Sequence, residues 1–331
     1  MHCFVSKDFF QKRNQHYAIQ ILLFLAGSSS AIAFNLLQET SGMQTSRTKG
    51  KVFRNIGSLR EDTGIPVLGA IPYTSQSNSI NYADVSELYV NLRLAYRDAQ
   101  IRSVLISSSE LGDGKTTVAM RLALSAAAMG QRVLLVDANL RKPELHHLLG
   151  LPNERGLTDV VLSNLNPQEG LLQISNQIFS ERLAVQYADS DRDTLFVMPA
   201  GTLVSNPAGL LSSQKMHRLN EYFQTIFDLV VYDSPSFSEV SDAFLLSQFT
   251  DGVLLVVSLN QSDRSKLLRS IGNLNSATIP ILGIIANRVK KQIDITELGL
   301  GAKSSFDIAT DSGKNQGSNA PVAEESKTLP R

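Results

Sequence analysis

Tryptophan is absent from the 331 residues, and cysteine occurs once, as Cys3. A single thiol excludes an intramolecular disulfide framework and suits a reducing compartment. The sequence also lacks a surplus of either charge, since Lys plus Arg and Asp plus Glu each total 31. That balance gives no argument for nucleic acid or another polyanion as partner. Tyrosine is missing from the C-terminal stretch, residues 300–331, and so is hydrophobic periodicity. Gly, Ser, Asn, Lys and Glu dominate there, and apolar side chains are too sparse to offset the entropy of ordering; it reads as a disordered tail.

What the chain does have is concentrated between Val104 and Arg141, VLISSSELGDGKTTVAMRLALSAAAMGQRVLLVDANLR. An apolar strand breaks into a glycine-bearing loop, a small-residue helical pattern follows to Met129, and a second apolar run ends on Asp137. Strand, loop, helix, strand and carboxylate in that order form a nucleoside-triphosphate site. Gly112 and Gly114 let the backbone turn tightly and aim several N–H groups at one anion. A helix starting near Lys115 adds its positive end to the same point. Lys115 supplies a mobile charge for the β and γ phosphates, and Thr116 offers a hydroxyl to Mg²⁺. Asp113 and Thr117 complete the phosphate loop. Ser109 stands where the G-x4-G-K-[ST] pattern usually has glycine.

Tyr17 to Leu37 is an uncharged run of apolar and small polar residues, about the length that crosses a bilayer as a helix. Gln20, Ser28 to Ser30 and Asn35 make it a marginal span. Ala31-Ile32-Ala33 resembles a signal-peptide cleavage site, but export would part a nucleotide-binding domain from its ATP. Positive charge is heavier downstream, at Arg47, Lys49, Lys51, Arg54 and Arg60, than upstream, at Lys7, Lys12 and Arg13. The expectation is a single-pass inner-membrane protein with its large domain in the cytoplasm. Residues 1–16 would be a short flank, 17–37 the span, 38–80 a juxtamembrane linker, 81–299 the catalytic domain and 300–331 the tail.

Within 64–299 strands and helices alternate. Strand-like runs lie at Gly64–Pro72, Leu195–Met198, Phe227–Tyr232, Gly252–Ser258 and Ile281–Ala286. Helical periodicity covers Asp84–Gln100, Ala208 to about Phe223, and Lys266–Leu274. Such alternation predicts an α/β fold, a doubly wound and mostly parallel sheet around a P-loop core. Ligands of these sheets bind beyond the carboxyl ends of the strands. Asp137 and Asp233, each closing a hydrophobic strand, are therefore candidate Mg²⁺ ligands beside the loop. Asp137 could also accept a proton from an incoming hydroxyl. Arg141, four residues on, could steady a phosphate or contact a partner.

These motifs together resemble the bacterial tyrosine kinases of capsular and exopolysaccharide synthesis. The resemblance rests on the Walker A loop Ser109–Thr116, the family-specific Walker A′ Leu134–Arg141 and the Walker B Leu229–Pro235. Arg141-Lys142-Pro143, Pro199-Ala200-Gly201, Asn206-Pro207 and Asp251–Val256 support it. It implies ATP and Mg²⁺, with Lys115 and Thr116 on the phosphates and metal, Asp137 and Asp233 on the metal, and Asn287 on the adenine side. It also implies a homo-oligomer through Glu87 and Arg93, where the family's Glu-x2-Arg-x2-Arg motif has Val90 in the middle. A separate membrane protein carrying the periplasmic chain-length domain would be a partner. Asn139 stands where the family has a second aspartate, and the tail has no tyrosine to receive phosphate. The alternative reading is thus a non-kinase ATPase or nucleotide-gated assembly module of the same machinery. Glu110, where septum-positioning and partition ATPases carry a signature lysine, disfavours that third class.

Overall fold

Two sets of side chains leave each central strand in opposite directions, and each set is buried. In the computed structural model, which describes residues 51–73, 82–163, 165–174 and 194–290, Leu105, Leu134 and Val136 join one core, while Val104, Ile106, Val133 and Leu135 join the other. Alternation along a strand sends neighbours to opposite faces, so apolar runs with no polar break need cover on both sides. That cover is helical.

The elements run α1 (Ile56–Thr63), β1 (Val67–Pro72), α2 (Tyr82–Ala95), β2 (Ser103–Ser108), α3 (Lys115–Ala128), β3 (Val133–Asp137), α4 (Leu145–Leu149) and α5 (Leu157–Leu162). They continue with β4 (Leu172–Gln173), β5 (Leu195–Met198), α6 (Pro207–Leu211), α7 (Gln214–Ile226), β6 (Leu229–Asp233), α8 (Asp242–Ser247), β7 (Gly252–Ser258), α9 (Arg264–Ser276) and β8 (Ile281–Val289). They build an eight-stranded sheet in the order β1-β8-β7-β2-β6-β3-β5-β4. Every pairing is parallel except β4 with β5. Leu88 and Leu92 of α2 and Val118 and Leu122 of α3 fill one face. Leu219 and Phe223 of α7, Leu246 of α8 and Leu267 and Leu274 of α9 fill the other. The mostly parallel α/β architecture expected from the alternation is present.

Three details differ from the sequence reading. The fold begins before residue 81: β1 pairs in parallel with β8, and Phe53, Ile56 and Leu59 are buried in the core. Residues 51–72 therefore belong to the domain rather than to a linker. Asn55 caps α1 by accepting from Ser58 N at 2.8 Å, and Gly64 ends it in the left-handed region. The helix expected from Ala208 to Phe223 is two helices, because the Ser213 side chain turns back to accept from Met216 N and starts α7 afresh. Strand β4 and helix α8 are too short to leave a periodic signal. Among the described residues no helix is long and apolar enough to cross a membrane. The candidate span 17–37, the Ser/Asn-rich residues 74–80 and the tail lie outside the described residues.

Candidate nucleotide and metal site

The carboxyl ends of β2, β3, β6, β7 and β8 meet at one edge of the sheet, and the sequence-predicted residues gather there. The loop after β2 passes Gly112 at φ 82° and Gly114 at φ 92°, conformations that L side chains rarely adopt. A Cβ on Gly114 would stand 2.2 Å from Asn287 Nδ2. Lys115 opens α3 and is only 7% exposed. Its ammonium donates to Ser108 Oγ at 3.2 Å and to the Glu110 carbonyl at 3.4 Å, interactions that a phosphate oxygen can replace. Thr116 and Thr117 follow in the first turn, where helix N–H groups have no intrahelical acceptors.

Asp137 and Asp233 are register partners on the adjacent parallel strands β3 and β6. Asp137 accepts from Asn139 N at 3.2 Å and Leu145 N at 3.1 Å. Burial lifts its carboxyl above the ordinary aspartate range, against these N–H groups and that of Glu144. Asp233 is raised too, by burial first and by the charge of Asp137 second, while the Thr116 hydroxyl and Lys115 pull it down. Its Oδ1 is buried with no hydrogen-bond partner. Two buried carboxylates with an orphaned oxygen, beside a threonine hydroxyl, fit a hard divalent cation. Among the described residues no group of three or more His, Cys, Asp or Glu could hold a metal ion. The available donors thus suit Mg²⁺, which keeps waters and shares phosphate oxygens, better than an all-protein cage.

Arg141 and Asn287 each have hydrogen-bond partners within the chain. Arg141 is bidentate to Asp242 at the start of α8, with Nε and Nη2 at 2.8 and 3.0 Å. That hydrogen-bonded partner raises its already high pKa, and Asp242 is fully buried. Asn287 braces the loop: its Nδ2 donates to the Asp113 carbonyl at 2.8 Å, and its Oδ1 accepts from Arg288 N. On α2, Glu87 and Arg93 are exposed and Val90 is half-buried.

Asp113 and Glu110 of the phosphate loop have partners that the sequence does not single out, Ser262, Asp263 and Lys266. Asp113 is buried and accepts from Ser262 Oγ at 2.6 Å. Burial raises its pKa, while Ser262 and Lys115 oppose the rise. Glu110 accepts from Asp263 N and from Lys266 Nζ, both at 2.5 Å. Burial disfavours its charge, but these two donors outweigh that and hold the carboxyl below its usual range. The phosphate loop is thereby fastened to the start of α9, where Asp263 is the N-cap. The only sequence signal for this was a Ser-Asp pair ahead of a helical pattern.

Residues 104–300 match the CobQ/CobB/MinD/ParA nucleotide binding domain. The tyrosine-protein kinase YwqD of Bacillus subtilis (strain 168) is 32% identical over 250 residues, covering 75% of this chain and 98% of that protein. The chain belongs to the bacterial tyrosine kinase family. Among solved structures, the chimerical protein CapA2B2 is similar with a TM-score of 0.62 and 26% identity, over 72% of this chain and all of that one. The kinase domain of the Escherichia coli tyrosine kinase ETK superposes with the same TM-score at 24% identity, over 72% of this chain and 96% of that one; this likeness is one of fold. In this bacterial tyrosine kinase, then, the strand-end carboxylates and phosphate loop named from the sequence share one edge of the sheet.

Proposed function

We infer that this chain is an ATP-dependent protein tyrosine kinase that regulates exopolysaccharide or capsule polymerisation and export. The observation that carries the reading is the register pairing of Asp137 with Asp233 beside Lys115 and Thr116, in a chain with a full-length tyrosine-kinase relative.

Phosphoryl transfer needs positioning and charge neutralisation more than covalent chemistry. The N–H groups of Gly112 to Thr117 and the α3 terminus cradle the β and γ phosphates, and Lys115 follows the charge that develops on them. Thr116, Asp137 and Asp233 would hold Mg²⁺, which would supply charge neutralisation to the phosphates. Asp137 is also the candidate to accept the proton of the tyrosine hydroxyl. Asn287 braces the loop from β8 and flanks the adenine. Arg141 acts through Asp242, setting the turn after Asp137.

The chain is anchored by residues 17–37 with its large domain in the cytoplasm, and the basic residues 47–60 lie against anionic lipid. Glu87 and Arg93, both exposed on α2, pair across copies of the chain in a homo-oligomer. A separate membrane protein supplies the periplasmic domain.

The test is transfer from Mg-ATP to a tyrosine-containing peptide copolymer by the full chain. Phosphotyrosine formation that stops on chelation of Mg²⁺ supports the kinase. Release of inorganic phosphate without phosphotyrosine supports the second reading, an ATPase that gates assembly, which Asn139 and the tyrosine-free tail favour.

A further inference from the structure

Single leucines in solvent are ordinary, but two beside one groove mark a surface that something covers. Leu162, at the end of α5, is 66% exposed, and Leu203, in the loop after β5, is 70% exposed. Both line a cavity of about 690 Å³, together with the buried Val161 and Leu210. A second cavity of about 330 Å³ continues it along α7, since Val161 and Lys215 line both. The two have room for several side chains of a peptide. We propose that this groove docks an acidic segment bearing apolar side chains, belonging to the protein substrate, and holds it for transfer. This rests on the kinase reading above.

Charge selects the occupant. Lys215 and Arg218 are exposed, and no carboxylate stands with them among the described residues that line the two cavities. Lys215 donates to the Ser163 carbonyl and Arg218 to Gln214 Oε1 at 3.5 Å, a fraction of the donors these side chains carry. Nearby acids have other partners: Glu169 pairs with Arg155 at 3.5 Å and Glu221 with His217 at 3.4 Å. A basic rim over apolar walls complements a peptide whose carboxylates flank apolar or aromatic side chains. A nucleic acid or a free phosphate would meet the two cations and leave Leu162 and Leu203 in water.

Position makes that occupant a substrate. Met198 pairs with Val136, the residue before Asp137, so β5 ends at the edge of the sheet that carries the nucleotide site. The Pro199 carbonyl there accepts from Leu157 N at 2.8 Å, at the start of α5, and the chain runs on to Leu203. Asp159 of α5 accepts from Gly156 N at 3.0 Å and from Thr202 N at 3.1 Å. The helix that carries Leu162 is thereby tied to the loop that carries Leu203, and the groove stands ready before any peptide arrives. Strands β3 and β6 separate β5 from β2; at strand spacing that is about 14 Å. About four or five residues of extended peptide cover this distance, so a segment seated in the groove leaves a neighbouring tyrosine within reach of the γ phosphate.

The experiment uses the full-length chain with a Glu/Tyr and a Lys/Tyr copolymer as probes. Binding is read from the anisotropy of labelled copolymer, and transfer from steady-state kinetics with Mg-ATP. Wild type should show the lower Kd and KM for the Glu/Tyr copolymer. Lys215→Glu with Arg218→Glu should raise both at least about tenfold and reverse the preference. Leu162→Ser with Leu203→Ser should raise both about fivefold, and in each variant kcat and the KM for ATP should be unchanged. Arg54→Glu with Arg60→Glu makes the same change of charge beside and within α1, and should stay within about twofold of wild type. All six side chains are exposed, and circular dichroism checks that each variant is folded. An equal effect of the Arg54 and Arg60 pair, or none of the Leu162 and Leu203 pair, would mean diffuse charge attraction and overturn the proposal. The two failures are distinguishable. Phosphotyrosine on the copolymer with every variant like wild type leaves the kinase standing and removes the groove. Binding that follows the expected pattern without any phosphotyrosine places the fault in the kinase reading.

Discussion

Asp137 and Asp233 lie opposite each other at the ends of β3 and β6, and one oxygen of Asp233 is buried without a partner. In the folded chain each carboxyl is pushed toward its neutral form by burial, and the charge of Asp137 adds to the effect on Asp233. Such a pair opposes folding when both groups are ionised, and a bound cation relieves it. Function at this edge of the sheet is held at some expense of stability.

Stability should accordingly fall with rising pH. Both folded-state pKa values lie above the unfolded value of about 4, so the folded state binds more protons from there up through the raised values, and ΔG of unfolding declines over that window. Asp233→Asn removes the ionisation and should stabilise the metal-free protein at pH 8 by about 1–2 kcal/mol, while abolishing Mg²⁺-dependent turnover. Thermal melting against pH, with and without Mg-ATP, checks both halves.

Lys115→Met keeps a long apolar stem at a site that is only 7% exposed and should fold. Phosphoryl transfer should drop at least about a hundredfold, as when an electrostatic stabiliser of a transition state is removed. Circular dichroism alongside an ATP-turnover assay distinguishes this from unfolding.

Arg141→Ala should leave the fully buried Asp242 without its bidentate partner. The cost should be about 1–3 kcal/mol, less than for a wholly buried pair because the Arg141 side chain is 42% exposed. The double variant with Asp242→Ala should recover part of that loss. A double-mutant cycle in urea reads the coupling, and no recovery would mean that Arg141 acts elsewhere.

Ser262→Ala should loosen the phosphate loop, because Asp113 Oδ1 then loses its 2.6 Å hydrogen bond in a buried setting. About 1–3 kcal/mol of stability and a weaker affinity for ATP are expected, measured by melting and by calorimetric titration.

The parts of this site that could be read from the sequence are local ones. Gly112-Asp113-Gly114-Lys115-Thr116 announces a phosphate loop because turn, helix start and lysine are contiguous. Asp137 and Asp233 are visible because each ends an unbroken apolar run. What could not be read spans large separations: Arg141 meets Asp242 across 101 residues and Asp113 meets Ser262 across 149. Neither pairing leaves a period or spacing behind it. The edge strand β1 is legible in the sequence as a strand, but its place in the sheet is set only by the carbonyls and N–H groups of β8.

The measurement that bears most directly on the function is phosphoamino-acid analysis after incubating the full-length protein with γ-labelled ATP and Mg²⁺, beside Lys115→Met. The result expected is phosphotyrosine in the wild-type reaction, on the protein or on an added tyrosine copolymer, and none with Lys115→Met. Label recovered only as inorganic phosphate, with no phosphotyrosine on any chain, would contradict the kinase and leave an ATPase.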